Sequence, residues 1–423
     1  MGELKSLHEI YAIVLADRVP LEVIALDPKD ALGFVLAEAV TSKESLPRFA
    51  NSAMDGYAIR SRDSNVDGVF LHVVGSTMAG QERAKTISAG QAVRIMTGAP
   101  VPDGADAVCM IEETFEKDGR VHIPRAFSPG TNIRLPAEDI REGMEVFPES
   151  TLLGPAHLGV LAGIGVRRVS AYRQPVVGVL STGDEIVGGD DRPGPGQIRD
   201  TNRPALLAMI AAVGARPIDL GIVGDDEESL IKRIEDTTQS YDVLITSGGA
   251  SDGDRDTIAS ALAQIKGAQT IHSIRAAIRP AKPLVFAEIG GSKIPVFGLP
   301  GNPVSALVAF ELFVKPALRK LAGHREYIAR PIAAIAESDF QRSADGKVHY
   351  VRAHARIDDT GVLRVCGTTG QGAHMLLAMA ESNALVILGD GDGKRAGERV
   401  QVHLLSHGIE YASSGDSVLF RST

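Results

Sequence analysis

Asp242-Val243-Leu244-Ile245-Thr246-Ser247-Gly248-Gly249-Ala250-Ser251-Asp252-Gly253-Asp254-Arg255-Asp256 is the stretch on which the fold turns. Its apolar run has no polar alternation, as expected of a parallel strand covered on both faces. It then meets hydroxyls, two consecutive glycines and a cluster of carboxylates. Glycine lets the backbone approach a ligand closely, and the free N–H groups at a helix start favour an anion. A buried strand running through such a turn into a helix is the unit of an α/β domain, which binds ligands outside the carboxyl ends of its strands. Two sharper motifs overlap the same residues. Asp252, Asp254 and Asp256 resemble the start of a calcium loop, but its sixth and twelfth positions would be Thr257 and Ala263. Gly249 to Gly253 matches a G-x-S-x-G nucleophile elbow around Ser251. An oxyanion hole needs donors beside developing negative charge, and these carboxylates suit a Mg²⁺ bridging phosphate oxygens better.

Outward from this turn, residues 175–327 alternate strand and helix. Runs 176–180, 218–223, 284–289 and 294–299 read as further strands. Residues 204–213 read as a helix with Asp200, Thr201 and Asn202 as candidate caps, and Asp226-Glu227-Glu228 places negative charge where the next helix dipole favours it. Asn302 is a good N-cap with Pro303 at the first helical position, and that helix is expected to break near Pro316. Three more turns follow strands of this sheet: Ser181-Thr182-Gly183-Asp184-Glu185, Gly224-Asp225 and Gly298-Leu299-Pro300-Gly301-Asn302-Pro303. Each is weak alone; all four following strand ends of one sheet is a stronger signal. Arg275, Arg279 and Lys282, just before the 284–289 strand, would supply the positive field an oxyanion needs.

Beyond this domain the period changes. Leu7, Ile10, Tyr11, Val14 and Leu15 form one helical stripe, and Ala31, Leu32, Val35, Leu36 and Ala39 a second. Runs 69–74, 92–96 and 107–111 are strand-length, which marks a β-rich insertion. Residues 150–166 are small-residue helical and return to the N-terminal helices. Runs 349–357, 362–366, 384–388 and 398–405 predict a compact barrel or sandwich. The expected organisation is multi-domain α/β: a helical domain (1–46 plus 140–174), a β-rich insertion (47–139), a central α/β domain (175–327), a C-terminal β-barrel-like domain (328–405) and a polar tail (406–423).

Composition narrows the function. Over 423 residues, 44 Lys and Arg against 53 Asp and Glu leave a net charge of −9. That argues against a nucleic-acid groove or a polybasic membrane patch. Trp is absent and aromatics are 4%, so ring stacking on bases or sugars is a poor basis for binding. Cys109 and Cys366 cannot build a disulfide framework or a four-thiolate metal site. They read as two small buried hydrophobes in a reducing, cytoplasmic setting. No signal peptide is expected, and the longest uncharged run, 150–166, is too short and too broken by glycine and proline to span a bilayer. His403 and His407 are four apart without a third zinc ligand nearby. P-loop and dinucleotide fingerprints are missing.

Asn51-Ser52-Ala53-Met54-Asp55-Gly56-Tyr57-Ala58, Met96-Thr97-Gly98-Ala99-Pro100 and the three segments 181–185, 247–256 and 298–306 together resemble the molybdopterin molybdenumtransferases, a family that includes the catalytic domain of gephyrin. The resemblance runs in consistent order from Leu7 to Leu405. It implies an elongated four-domain homodimer, with the site between the α/β domain of one subunit and the insertion of the other. The implied reaction is Mg²⁺-dependent cleavage of adenylylated molybdopterin with molybdate, giving molybdenum cofactor and AMP, and a molybdopterin adenylyltransferase would deliver the substrate. Carried across, Glu185, Asp225 and Asp256 are the acidic Mg²⁺ and catalytic residues. Ser247, Gly248, Gly249 and Ser251 hold pterin or phosphate. Arg275, Arg279, Lys282, Pro300, Gly301, Asn302, Pro303 and Arg352 bind molybdate or the anionic substrate, while Asp55, Thr97, Arg134 and Asp139 come from the insertion. Three positions depart from the family pattern: Arg279 for Lys, Ala373 for Ser, and Ala137 for Gly. A non-catalytic carrier or scaffold, or a tungstate-inserting paralogue, is the alternative.

Overall fold

The computed structural model describes residues 3–80, 86–189, 191–250, 257–405 and 410–411. The chain divides into two compact units, residues 25–32 with 36–171, and residues 1–24, 33–35 and 172–423.

In the larger unit a six-stranded sheet has the spatial order Arg216–Val223, Val176–Thr182, Val243–Ala250, Ile294–Pro300, Pro283–Ile289, Gln269–Arg275. The first four strands are parallel; Pro283–Ile289 runs against both its neighbours. Successive side chains on a strand point to opposite faces. Val177, Val179, Ile245 and Phe297 therefore enter one apolar cluster, whereas Leu180, Leu244, Val285 and Val296 enter another. Both faces being covered is why these strands read as continuous apolar runs. Helices Asn202–Ala212, Glu227–Thr237, Thr257–Gln264 and Pro303–Ala309 alternate with the strands. Asp226 caps its helix through the N–H groups of Glu228 and Ser229, as its charge and position predict.

Near the Pro303 helix one expectation holds in position and another fails. Asn302 stands at the N-cap with Pro303 opening the helix, although its side chain makes no capping hydrogen bond. The helix does not break at Pro316. It passes through a π turn, Phe310–Val314, into Lys315–Leu321, with Pro316 in the first turn of that last segment. The wider π spacing removes the i−4 partnering that a proline would block.

At the N-terminus, Leu7–Val14 is a helix closed by a Ser6/Glu9 capping box. The second stripe is not a helix. Pro28–Asp30 is a single 3₁₀ turn, Gly33 has φ +78°, and Val35–Leu36 is a short strand. Ala31 and Leu36 still pack together, in a small core with Leu153, Leu161 and Val169. The 150–166 expectation is met by the helix Pro155–Gly163. The smaller unit also carries a six-stranded sheet, in the order Ala107–Met110, Gly56–Ile59, Gln91–Ile95, Val69–Thr77, Arg120–Ile123, Phe115–Lys117.

After Pro331 the strands close on themselves. Val348–Ile357 pairs with Leu363–Gly367, which continues through Ile332–Ala336, Arg399–Leu404 and Ala384–Leu388 back to Val348–Ile357. Alanines and valines such as Ala353, Ala355, Val365, Val386 and Val402 fill this narrow ring. The strand Ile332–Ala336 and the helix Leu376–Ala380 were not expected from sequence. Residues 406–423, expected to be a polar tail, contain a two-residue strand, Glu410–Tyr411, paired with Arg356 and Ile357; His407 and the rest of that segment lie outside the described residues. Cys109 is buried as expected, but Cys366 is exposed, which corrects the reading of both as core residues. No helix among the described residues is long and apolar enough to cross a membrane.

Candidate active site

Because four neighbouring strands are parallel, their carboxyl ends share one rim. The connections leave in opposite directions from Val176–Thr182 and Val243–Ala250, so a crevice opens between those two ends. A cavity of about 690 Å³ lies there. Its walls come from three of the turns singled out in the sequence, through Ser181, Thr182 and Glu185, then Ser247, Gly248 and Gly249, then Gly301, Asn302 and Pro303. Asp225 follows the adjacent strand on the same rim.

The glycines are steric requirements. A Cβ on Gly248, at φ +100°, would lie 2.2 Å from the Thr182 carbonyl oxygen. Gly249, at φ +68°, would meet Ile258 at 2.9 Å. On the first turn a Cβ at Gly183 would sit 2.7 Å from the Glu185 carboxylate, so that acid folds back over its own glycine. Asp184 is committed to the scaffold: its Oδ1 accepts the Asp225 N–H at 3.1 Å and would lie 2.6 Å from a Cβ at Gly224.

The buried hydroxyls Ser181 Oγ, Thr182 Oγ1 and Thr246 Oγ1 have no hydrogen-bond partner among the described residues. An unpaired buried hydroxyl is costly, and each such group calls for an explanation. Ser181 and Thr182 border the cavity, so a ligand there could satisfy them. Mg²⁺ keeps several waters and is held by one or two carboxylates together with substrate phosphates. Glu185 and Asp225 fit that donor set, although the described residues contain no group of three or more His, Cys, Asp or Glu placed for a metal. Ser251 and Asp256 lie outside the described residues.

The cations are distributed differently from the sequence expectation. Arg279 borders a separate cavity of about 430 Å³, with Arg342, His349 and Gln371. Arg352 is 1% exposed and donates to the carbonyls of Gly370 and Gly372 at 2.9 and 3.1 Å. Arg275 ends the edge strand, and its carbonyl accepts the Lys5 N–H; the Lys282 carbonyl accepts the Ala276 N–H. Pro300 is the buried end of its strand.

In the smaller unit, Asp55 Oδ1 accepts from the Thr97 N–H at 2.7 Å and from its hydroxyl at 2.9 Å. These bonds hold the Asp55 carboxyl below its usual range. Arg134 pairs with Asn51 in a two-residue ladder, and the Asp139 N–H donates to Leu46.

Two of the cavity residues outside the expected site set, His374 and Asn202, have evident structural roles. His374 reaches the wall because the Ala373 carbonyl accepts the Val304 N–H at 3.0 Å, docking residues 370–374 on the start of the Pro303 helix. Asn202, read as a cap, instead donates from Nδ2 to Ser247 Oγ and to the Gly301 carbonyl, both at 2.8 Å. The signal was a surplus: Asp200, Thr201 and Asn202 are three capping-type residues where Asp200 already accepts the Arg203 N–H.

Residues 5–165 match the family model described as the MoeA N-terminal region (domains I and II), residues 178–320 a probable molybdopterin-binding domain, and residues 334–405 the MoeA C-terminal region (domain IV). The chain is 35% identical over 391 residues to the molybdopterin molybdenumtransferase of Haemophilus influenzae, covering 92% of this chain and 95% of that one. It is 38% identical over 372 residues to that of a Nostoc species, covering 86% and 84%. Among solved structures, the molybdopterin biosynthesis MoeA protein of Pyrococcus horikoshii OT3 superposes with a TM-score of 0.79 at 27% identity, over 95% of this chain and all of that one.

Proposed function

The chain belongs to the MoeA family of molybdopterin molybdenumtransferases, enzymes that insert molybdenum into molybdopterin, and on that premise we propose that it cleaves adenylylated molybdopterin with molybdate, in a Mg²⁺-dependent reaction, to give molybdenum cofactor and AMP. The observation that carries this reading is the cavity at the strand ends. It combines a glycine turn that excludes a side chain at Gly248, buried hydroxyls on its wall with no partner among the described residues, and a carboxylate at its rim.

Cleaving a phosphoanhydride requires its negative charge to be offset and its phosphorus held in line with the attacking oxygen. Glu185, Asp225 and Asp256 would hold Mg²⁺, which would neutralise phosphate charge. The Ser247–Gly249 turn, joined by Ser251 in the sequence, would take pterin or phosphate through backbone N–H and hydroxyl groups. Gly301, Asn302 and Pro303 line the cavity beside that turn. Arg275, Arg279, Lys282, Pro300 and Arg352 would serve the oxyanion side, Arg279 from the second cavity it borders and Arg352 through the loop it holds. Asp55, Thr97, Arg134 and Asp139 would be supplied across a homodimer, a molybdopterin adenylyltransferase would deliver the substrate, and the setting would be cytoplasmic.

The test is a single-turnover assay with adenylylated molybdopterin, molybdate and Mg²⁺. Glu185→Ala and Asp256→Ala each lose AMP release by at least about 100-fold, the scale of removing a charge-stabilising group, while molybdopterin binding partly survives. Unchanged turnover in both variants refutes the assignment. Running molybdate and tungstate in competition decides which oxyanion the Arg279 and Ala373 departures favour.

A further inference from the structure

Asn202 is 7% exposed and opens the helix Asn202–Ala212. Its single NH₂ group spans two loops that are far apart in sequence, reaching Ser247 Oγ and the Gly301 carbonyl. A primary amide offers two donors in one plane, which suits two acceptors on either side. The Gly301 carbonyl can only accept, so it fixes which end of the amide faces the loops: the reverse orientation would set two oxygens against each other. Ser247 must then accept from Asn202.

The consequence falls on Ser247. Ser247 is 3% exposed and borders the cavity, and its hydroxyl has Asn202 as its one hydrogen-bond partner among the described residues. With a lone pair engaged by a donor-only NH₂, the hydroxyl proton is left to turn toward the cavity. We infer that Asn202 is a positioning residue that sets Ser247 as a hydrogen-bond donor to the bound substrate, so that this point of the site selects an acceptor atom, a phosphate or pterin-carbonyl oxygen. This rests on the reading that the cavity takes molybdopterin.

Asn202→Asp keeps the shape and reverses the polarity. An ionised carboxylate accepts the Ser247 proton, takes it away from the cavity, and opposes the Gly301 carbonyl. The experiment is a double-mutant cycle on molybdopterin affinity, measured by equilibrium ultrafiltration with the full chain, using wild type, Asn202→Asp, Ser247→Ala and the double variant, with the melting temperature of each as control. Losing an oriented hydrogen bond lowers affinity by about tenfold or more for each single variant. Asn202→Asp costs at least about threefold less in the Ser247→Ala background than in the wild type, because the hydroxyl is gone and only the opposition to Gly301 remains. Equal losses in both backgrounds overturn the inference and make Asn202 a purely structural tie. If Asn202→Asp does not fold, Ser247→Ala alone still decides: wild-type affinity in that variant overturns it. Failure of the wild-type chain to bind molybdopterin is a different result, and it overturns the reading of the cavity itself.

Discussion

Replacing Gly248 by alanine tests the construction of the cavity directly. Its φ of +100° lies where side chains are strained, and the new Cβ would fall 2.2 Å from the Thr182 carbonyl oxygen. That oxygen belongs to the neighbouring parallel strand, so no side-chain rotation relieves the clash. Backbone strain costs about 1–3 kcal/mol, and forcing atoms into a packed site about 1–3 kcal/mol more. Reduced freedom of the unfolded chain returns about 0.4–1 kcal/mol, leaving a destabilisation on the order of 2–5 kcal/mol. At roughly 2–4 °C per kcal/mol for a domain of this size, melting falls by about 4–20 °C. Gly249→Ala meets the flexible Ile258 side chain at 2.9 Å and should cost less. Gly301→Ala, whose nearest neighbour is the Gly248 Cα at 3.8 Å, should melt close to wild type. Thermal unfolding by circular dichroism, with molybdopterin binding in parallel, ranks the three. Gly248→Ala melting with Gly301→Ala would refute the claim that this turn excludes a side chain.

Three further outcomes are expected. Arg173 joins Glu22 to Asp242, with bonds of 2.7 and 2.8 Å to the latter, whose Oδ2 also takes the Val176 N–H at 2.7 Å. Arg173→Met should cost about 1.5–3 kcal/mol, the scale of hydrogen bonds to a charged group, read from urea unfolding; a loss below the error of that measurement would show the pair to be idle. Burial pushes the His324 imidazole down to about 4. The unfolded chain therefore binds more protons between that value and the ordinary 6.5, and stability falls as pH drops through that window. His324→Gln should flatten the pH 4–6.5 limb of the unfolding profile; an unchanged limb would place the effect elsewhere. Arg352→Met removes both bonds to the Gly370 and Gly372 carbonyls, and should weaken molybdopterin binding and stability together. Lost oxyanion affinity with unchanged melting would instead mean that the guanidinium touches the ligand directly.

Much of the central domain was legible because burial on both faces writes itself into the chain as unbroken apolar runs. The four strand-end turns could be read in the same way, since two adjacent glycines such as Gly248 and Gly249 have few other uses. What was not legible depends on partners distant in sequence. Ala31 to Ala39 has the spacing of a helix, yet alanine and leucine at those positions also satisfy a turn and a short strand over a shared core. Pro316 signals a break only if its helix stays regular, and the π turn before it is a tertiary accommodation. Asn202 acts on residues 45 and 99 positions away, and Arg352 on a loop 18 to 20 positions on. In both cases the local sequence shows a polar side chain but not its target. The closing of the C-terminal strands into a ring is non-local for the same reason.

That ring has a consequence for motion. Because each of its five strands has a neighbour on both sides, none can peel away without tearing two ladders at once, and its amide protons should exchange with deuterium only when the whole ring opens. Arg352 stands on one of those strands and grips the loop that brings His374 to the cavity. One wall of the pocket is thus moored to a part of the chain that should breathe slowly.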